Sequence, residues 1–251
     1  MMGWLKIVGM GPGDETLVTP QVQDALAKAS DVIGYFPYVA RVSGRPGLRL
    51  HGSDNRFELD RAKHALQLAL EGNKVIVVSS GDPGVFAMAA AVFEAVEVGP
   101  ETWRTIEIDV LPGITAMLAA AARVGAPLGH DFCTINLSDN LKPWKIIEQR
   151  LRLAVEADFA MAFYNPRSKS RPQGFDKALR ILNSICKDTR PVIFARAVSS
   201  PQETISIVPL TEATPHMADM RTMVIVGSSQ TRIIHRPEKS AIVYTPRSLA
   251  P

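Results

Sequence analysis

The sequence predicts an α/β protein made of two α/β lobes with a cleft between them, and three observations carry that reading. Short β-branched or apolar runs alternate with Ala- and Leu-rich stretches of helical period along the first half. Each of these runs ends in a turn of Gly, Pro and Asp, as repeated β-α-β units require. Late in the chain, β-rich runs succeed one another without such a helix, so the second lobe is expected to be mixed rather than purely parallel.

The elements follow in order. A strand over 5–8 runs into Gly9-Met10-Gly11-Pro12-Gly13-Asp14, and a helix starts where Thr19 can cap it and Pro20 suits its first turn. A second strand covers 31–35. It leads to an irregular segment over 36–56, long enough to suggest a functional loop, and then to an amphipathic helix over 58–71. A third strand over 74–79 reaches Ser80-Gly81-Asp82-Pro83-Gly84 before a helix over 85–96. A strand over 106–111 passes through Pro112 and Gly113 into a helix over 114–124. Next comes a strand over 133–137, with Ser138 and Asp139 as candidate caps for a helix over 145–155. The junction is placed here, giving lobes over 1–137 and 138–251. The second lobe continues with strands over 159–164 and 192–197, a helix over 175–186 and β-rich runs over 204–208 and 223–226. Ligands of open parallel sheets bind outside the carboxyl ends of the strands, so the three small-residue turns of the first lobe are expected to converge on one site.

Composition narrows the function. With 251 residues, 46% hydrophobic and 21% charged, the chain belongs among globular proteins, not among disordered or fibrous ones. Cys133 and Cys186 form no C-x-x-C pair, which argues against a disulfide framework or a zinc ribbon and for a reducing cytoplasm. Glycines and Pro12 interrupt the first apolar run too early for a signal-peptide core, and no stretch approaches the roughly 20 apolar residues of a membrane span. A soluble, cytoplasmic protein is expected. The net charge of +3 favours anionic partners but falls far short of a nucleic-acid-binding stripe.

The first turn resembles a dinucleotide fingerprint until Asp14 replaces its last glycine, which disfavours NAD. Gly11-Pro12-Gly13 still admits close backbone approach by a ligand, or forms an ordinary tight turn. Free N–H groups after Ser80, Gly81 and Asp82 suit a carboxylate or ribose hydroxyl, although Asp82 is equally a cap. Thr115 and Ala116 are small enough to lie under an adenine or to pack a helix tightly. The chain contains no Walker A sequence, no H-E-x-x-H and no G-x-S-x-G elbow, and its five histidines lack metal-ligand spacing. No metal is expected. Arg167, Lys169 and Arg171 form a basic loop suited to carboxylates, and Arg41, Arg45, Arg49 and Arg56 form a second group.

Together, Gly9 to Asp14, the 79–85 run Ser-Ser-Gly-Asp-Pro-Gly-Val, the 111–117 run Leu-Pro-Gly-Ile-Thr-Ala-Met and Phe163-Tyr164-Asn165-Pro166-Arg167 resemble the tetrapyrrole methylase family in order and spacing. Gly129-His130-Asp131-Phe132, Leu137-Ser138-Asp139 and residues 164–171 narrow the resemblance to its cobalamin-forming members. The resemblance implies a homodimer that binds S-adenosylmethionine in the cleft, releases S-adenosylhomocysteine and methylates a small anionic tetrapyrrole, with no nucleic acid or membrane partner. Carried over by motif, the cofactor contacts are Pro12, Ser80, Gly81, Asp82, Val85, Thr115, Ala116, Asn165 and Ala197. The substrate's carboxylates would meet Arg41, Arg45, Arg167, Lys169 and Arg171. Relatives that methylate uroporphyrinogen III carry an aspartate where Phe36 stands here, so that proton acceptor does not transfer, and Asp14 is the acid/base candidate in its place. A sibling methylase acting on another ring carbon, a nucleotide-binding oxidoreductase or sensor, and methylation of a macromolecule remain as alternatives.

Overall fold

The apolar runs of the first half pair side by side. In the computed structural model, which describes residues 3–54, 57–186 and 189–248, the chain divides into two compact units, Met1–Thr115 and Ala116–Pro251. The first contains β1 (Trp4–Gly9), α1 (Pro20–Lys28), β2 (Asp31–Tyr35), α2 (Phe36–Val39), β3 (Arg49–Ser53), α3 (Glu58–Leu70), β4 (Lys74–Ser79), α4 (Met88–Val98) and β5 (Glu107–Leu111). Its five strands lie in the order β3-β2-β4-β1-β5, and every pairing is parallel.

A parallel sheet needs cover on both faces, and the strand sequences supply it. Along β4, Val75 and Val77 join Leu5 and Ile7 beneath the apolar faces of α3 and α4. Their neighbours Ile76 and Val78 point the other way, with Val8, onto Val22 and Ala25 of α1. Each fully buried aliphatic chain is worth roughly 1.5–3 kcal/mol, so these two layers outweigh helix propensity in holding the unit. Thr19 caps α1, its Oγ1 accepting from the Val22 N–H at 3.3 Å.

Strand order also locates the functional end. From β1 the chain crosses past β4 to β2, and from β4 it crosses past β1 to β5, so the connections leaving these two neighbours diverge to opposite faces of the sheet, α1 on one and α4 on the other. Divergence of this kind opens a crevice at the carboxyl ends of the two strands.

The second unit holds α5 (Ala116–Val124), β6 (Gly125–Ala126), β7 (Phe132–Asn136), α6 (Trp144–Glu156), β8 (Ala160–Tyr164), α7 (Gly174–Ile185), β9 (Pro191–Arg196), β10 (Thr204–Pro209), β11 (Thr222–Val226), β12 (Arg232–Arg236) and β13 (Lys239–Tyr244). Its main sheet runs β10-β9-β11-β8-β7; β7 and β8 are parallel and the other pairs antiparallel, the mixed sheet that was expected. Phe163, Phe175 and Phe194 anchor its core, the last two meeting edge to face with centroids 5.8 Å apart. A smaller sheet, β12-β13-β6, completes the unit.

Several boundaries differ from the sequence reading, each for a physical reason. The units divide at Thr115, ahead of the junction read at residue 137, because α5 packs on β11 and β13 of the second unit. The irregular segment after β2 contains α2 and β3; the latter is an edge strand whose exposed Arg-Leu-His-Gly-Ser lacks apolar alternation. Ser138 and Asp139 do not cap α6, which starts after Pro143; instead the Ser138 N–H is tied to Asn136 Oδ1 at 2.9 Å. The β12–β13 hairpin carried no expectation at all. Among the described residues, no helix is long and apolar enough to cross a membrane.

Candidate functional site

The three glycine turns of the first unit do meet. Gly11 and Gly81 form an isolated bridge, each N–H donating to the other's carbonyl, at 3.2 and 2.9 Å. Both residues are left-handed, with φ of 65° and 64°, a conformation that favours glycine. A Cβ on Gly113 would stand 2.2 Å from the Gly81 carbonyl oxygen and 2.8 Å from Gly9 Cα, so the turns after β1, β4 and β5 touch through main chain alone. Asp82 binds this junction together. Its Oδ1 accepts from the Gly84 N–H at 2.8 Å and its Oδ2 from the Gly113 N–H at 3.0 Å. The carboxylate is thus both a cap of its own turn and a staple to the next. Beside it lie the half-buried Ser80, Val85 and Pro12, the buried Gly81 and Thr115, and the start of α4, whose Met88 N–H reaches the buried Ser79 hydroxyl at 3.3 Å.

These residues fit an adenosine-bearing ligand. Main chain at three adjacent strand ends, the half-buried Ser80 hydroxyl and the small apolar Val85 are the kinds of group that meet a ribose and an adenine. Ala116, the neighbour of Thr115, opens α5 in the second unit.

Asp14 sits at the end of the first turn with a structural duty. It is exposed, and its Oδ1 accepts from both the Thr16 N–H at 2.8 Å and the Thr16 hydroxyl at 2.7 Å, capping a single 3-10 turn over Glu15–Leu17. Arg41 is turned inward. It donates to the carbonyls of Met10, Gly11 and Gly13 at 2.6, 3.3 and 3.1 Å, bracing the first turn from behind, and burial draws its guanidinium below the usual arginine range. Arg45 likewise spends one Nη on the carbonyls of Leu26, Ala27 and Ala29 at the end of α1. Arg49 pairs with the fully buried Asp31 at 2.8 Å, and Arg56 lies outside the described residues. Arg41, Arg45 and Arg49 therefore serve main chain and a buried carboxylate. A cavity of about 280 Å³ lies between α1 and the segment over 41–48; of the predicted cofactor set it includes none, and it touches the first turn at Met10.

In the second unit the carboxyl ends of β8 and β9 are left-handed without glycine. Asn165 has φ 51° and Ala197 φ 49°, and Ser199 follows at 61°. Asparagine tolerates this region, but an alanine or serine held there is strained, and such strain concentrates at functional sites. The Asn165 side chain donates to Asn136 Oδ1 at 3.2 Å, tying the loop after β8 to the loop after β7. Tyr164, just before it, accepts from the Met117 N–H at 3.4 Å. In the basic loop Arg167 turns back on the Pro172 carbonyl at 3.4 Å, Lys169 is exposed, and Arg171 reaches the Met220 sulfur at 3.7 Å. Lys142, in the loop after β7, donates to the Ser138 carbonyl at 3.2 Å and feels the charge of Arg171; it escapes the sequence reading because it sits in no motif. Phe36 lies largely exposed, its ring over Gly52 of β3, where any side chain would collide with it. Among the described residues, no cluster of His, Cys, Asp or Glu is fit to hold a metal ion.

A match to the Tetrapyrrole (Corrin/Porphyrin) Methylases spans residues 5–214, and the chain belongs to that family. Over 250 residues, all of this chain and 98% of the relative, it is 54% identical to the precorrin-3B C(17)-methyltransferase of Sinorhizobium sp. It is 35% identical, over 97% of this chain and 98% of the other, to a probable cobalt-factor III C(17)-methyltransferase of Salmonella typhimurium. The crystal structure of the methyltransferase CobJ superimposes with a TM-score of 0.93 at 62% identity, covering 97% of this chain and all of that one.

Proposed function

We propose that this chain methylates precorrin-3B at C17, using S-adenosylmethionine, in cobalamin biosynthesis, with contraction of the macrocycle to precorrin-4. The observation that carries the reading is full-length 54% identity to a relative of that name. The convergence of the Gly9, Gly81 and Gly113 turns supports it independently, since the turns meet at the carboxyl ends of adjacent parallel strands, the place such a sheet offers ligands.

When bound, S-adenosylmethionine supplies a methyl group on a sulfonium, which departs as the neutral thioether S-adenosylhomocysteine while the ring carbon's electron pair forms the new C–C bond. The protein's task is then alignment more than acid–base chemistry. Pro12, Ser80, Gly81, Val85 and Thr115 are the proposed contacts in the first unit, with Asp82 fixing their turns. Ala116, Asn165 and Ala197 are the contacts that the family resemblance adds from the second. Arg167, Lys169 and Arg171 are proposed to meet the substrate's acetate and propionate groups. Arg41 and Arg45 are not carried forward as substrate ligands, because their guanidiniums are engaged by main-chain carbonyls. Asp14 is retained as an acid/base candidate through its place beside the first turn. We further propose a cytoplasmic homodimer.

The test is turnover of precorrin-3B with S-adenosylmethionine carrying a carbon-13 methyl. The reading expects a product one methyl heavier with the label at C17. A label at another ring carbon, or turnover of the cobalt-bearing ring alone, would overturn it.

A further inference from the structure

β3, β2 and β4 are neighbours in the first unit's sheet, and the chain leaving each of them carries an exposed phenylalanine. Phe36 follows β2 and is 60% exposed, Phe57 follows β3 at 52%, and Phe86 follows β4 at 49%. A single exposed aromatic residue is ordinary on a protein surface; three at the carboxyl ends of three adjacent strands make a patterned one.

Printed contacts of side chain and main chain join these ends. The Phe36 ring lies on Gly52 of β3, where an added Cβ would stand 2.5 Å from its Cδ1. The buried Arg61 of α3 donates its main-chain N–H to the Phe57 carbonyl at 2.8 Å. Its guanidinium donates to Ser53 Oγ at 3.0 Å, to the Asp54 carbonyl at 2.7 Å and to the Met88 sulfur at 3.3 Å. One arginine thus ties the loop after β3 to the first residue of α4. The Met88 N–H reaches the Ser79 hydroxyl at 3.3 Å, which draws the segment carrying Phe86 back toward the end of β4. Phe86 itself has φ of 53°, a strained conformation for a bulky residue, and such strain concentrates at functional sites. Here it holds a large ring half in solvent, where the ring adds little to the core and a ligand can cover it.

The end of β4 also carries the Ser80-Gly81-Asp82 turn. The aromatic side of the sheet, β3-β2-β4, and the glycine side, β4-β1-β5, therefore share one strand. Aromatic rings recognise an apolar macrocycle by contact area and stacking, which leaves its carboxylate arms to cationic side chains. Resting on the functional reading above, we propose that Phe36, Phe57 and Phe86 form an apolar platform for the macrocycle of the tetrapyrrole substrate, beside the turns that hold the methyl donor. Arg61 is the positioning residue that sets the platform's spacing.

Fluorescence titration with uroporphyrin, a stable flat tetrapyrrole, measures the platform. Phe36→Ala, Phe57→Ala and Phe86→Ala are each expected to weaken porphyrin binding by about tenfold, the factor that covering a half-exposed ring carries, and Phe86→Tyr to keep most of the affinity. Phe93 of α4, 48% exposed and away from the strand ends, is the control, and Phe93→Ala should bind as the wild type does. The porphyrin ring current should shift the NMR signals of the three platform rings and leave those of Phe93 in place. Unchanged S-adenosylhomocysteine affinity in every variant reports that each one folds. Absent porphyrin binding by the wild type, wild-type affinity in Phe36→Ala and Phe86→Ala, or an equal loss in Phe93→Ala would overturn the platform. Weakened self-association in sedimentation with porphyrin binding intact would overturn it too, and would assign the rings to a second copy of this chain. Failure of the functional reading shows differently, as absent S-adenosylhomocysteine binding or absent methyl transfer by the wild type while porphyrin binding and its dependence on the three rings persist.

Discussion

At the carboxyl ends of their strands the two units solve one geometrical problem by different means. In the first, the chain turns through left-handed backbone at Gly11 and Gly81, where the absence of a Cβ makes the conformation easy and lets three turns touch. In the second, the same conformation is imposed on Asn165, Ala197 and Ser199, and surrounding hydrogen bonds hold it. Ala197 donates to the Arg221 carbonyl at 2.8 Å and accepts from Ser200 at 3.1 Å; the Ser199 N–H donates to Glu203, whose carboxylate Arg123 also holds. A glycine turn is built for close approach of main chain. A strained turn keeps a side chain at the site at some cost in stability.

That contrast can be broken by exchange. Gly113→Ala should have the largest effect, since its Cβ has no room beside the Gly81 carbonyl; a loss of about 3 kcal/mol or more in denaturant unfolding is expected, at the upper end of overpacking costs. Asp82→Ala comes next. Losing the acceptor of two main-chain N–H groups should destabilise the protein by about 1–3 kcal/mol and weaken S-adenosylhomocysteine at least tenfold, as calorimetry would show. Ala197→Gly should work in the opposite direction, raising stability by about 0.5–1 kcal/mol as steric relief exceeds the added chain entropy. A destabilised Ala197→Gly would mean that the second unit's turns are not strained, and the contrast would fail.

The smallest effect is one of pH, and it lies at the opposite end of the first sheet. Burial raises the Asp31 carboxyl, but hydrogen bonds from Arg49, Ser30 and His51 more than offset this and leave it below the ordinary aspartate range. A carboxylate depressed in the folded state stabilises above its unfolded pKa and loses that contribution as pH falls through the folded one. Wild-type stability should therefore decline as pH drops below about 4, and Asp31→Asn should flatten that part of the profile.

Glycine is also why the first unit was legible in the sequence. Gly9, Gly81 and Gly113 follow apolar runs at strand spacing, and the strands over 31–35 and 74–79 were read residue for residue. Left-handed Ala197 carries no such mark, because alanine is common everywhere and only tertiary contacts force its backbone; it entered through family resemblance alone. Arginines are harder to read for a related reason. Arg41 and Arg45 look like ligand-binding charges in a flexible loop, yet charge in sequence does not say which acceptors lie nearby, and here they are carbonyls of the first turn and of α1. The edge strand β3 was missed because exposure on both faces removes the alternation by which strands are recognised.

We propose above all that the glycine turns of the first unit hold the methyl donor. Calorimetric titration of the wild-type protein and of Asp82→Ala with S-adenosylhomocysteine, with NAD as control, tests it most directly. The expected result is saturable binding of S-adenosylhomocysteine alone by the wild type and at least tenfold weaker binding by the variant; binding of NAD instead, or equal affinity in a folded Asp82→Ala, would overturn that placement of the donor.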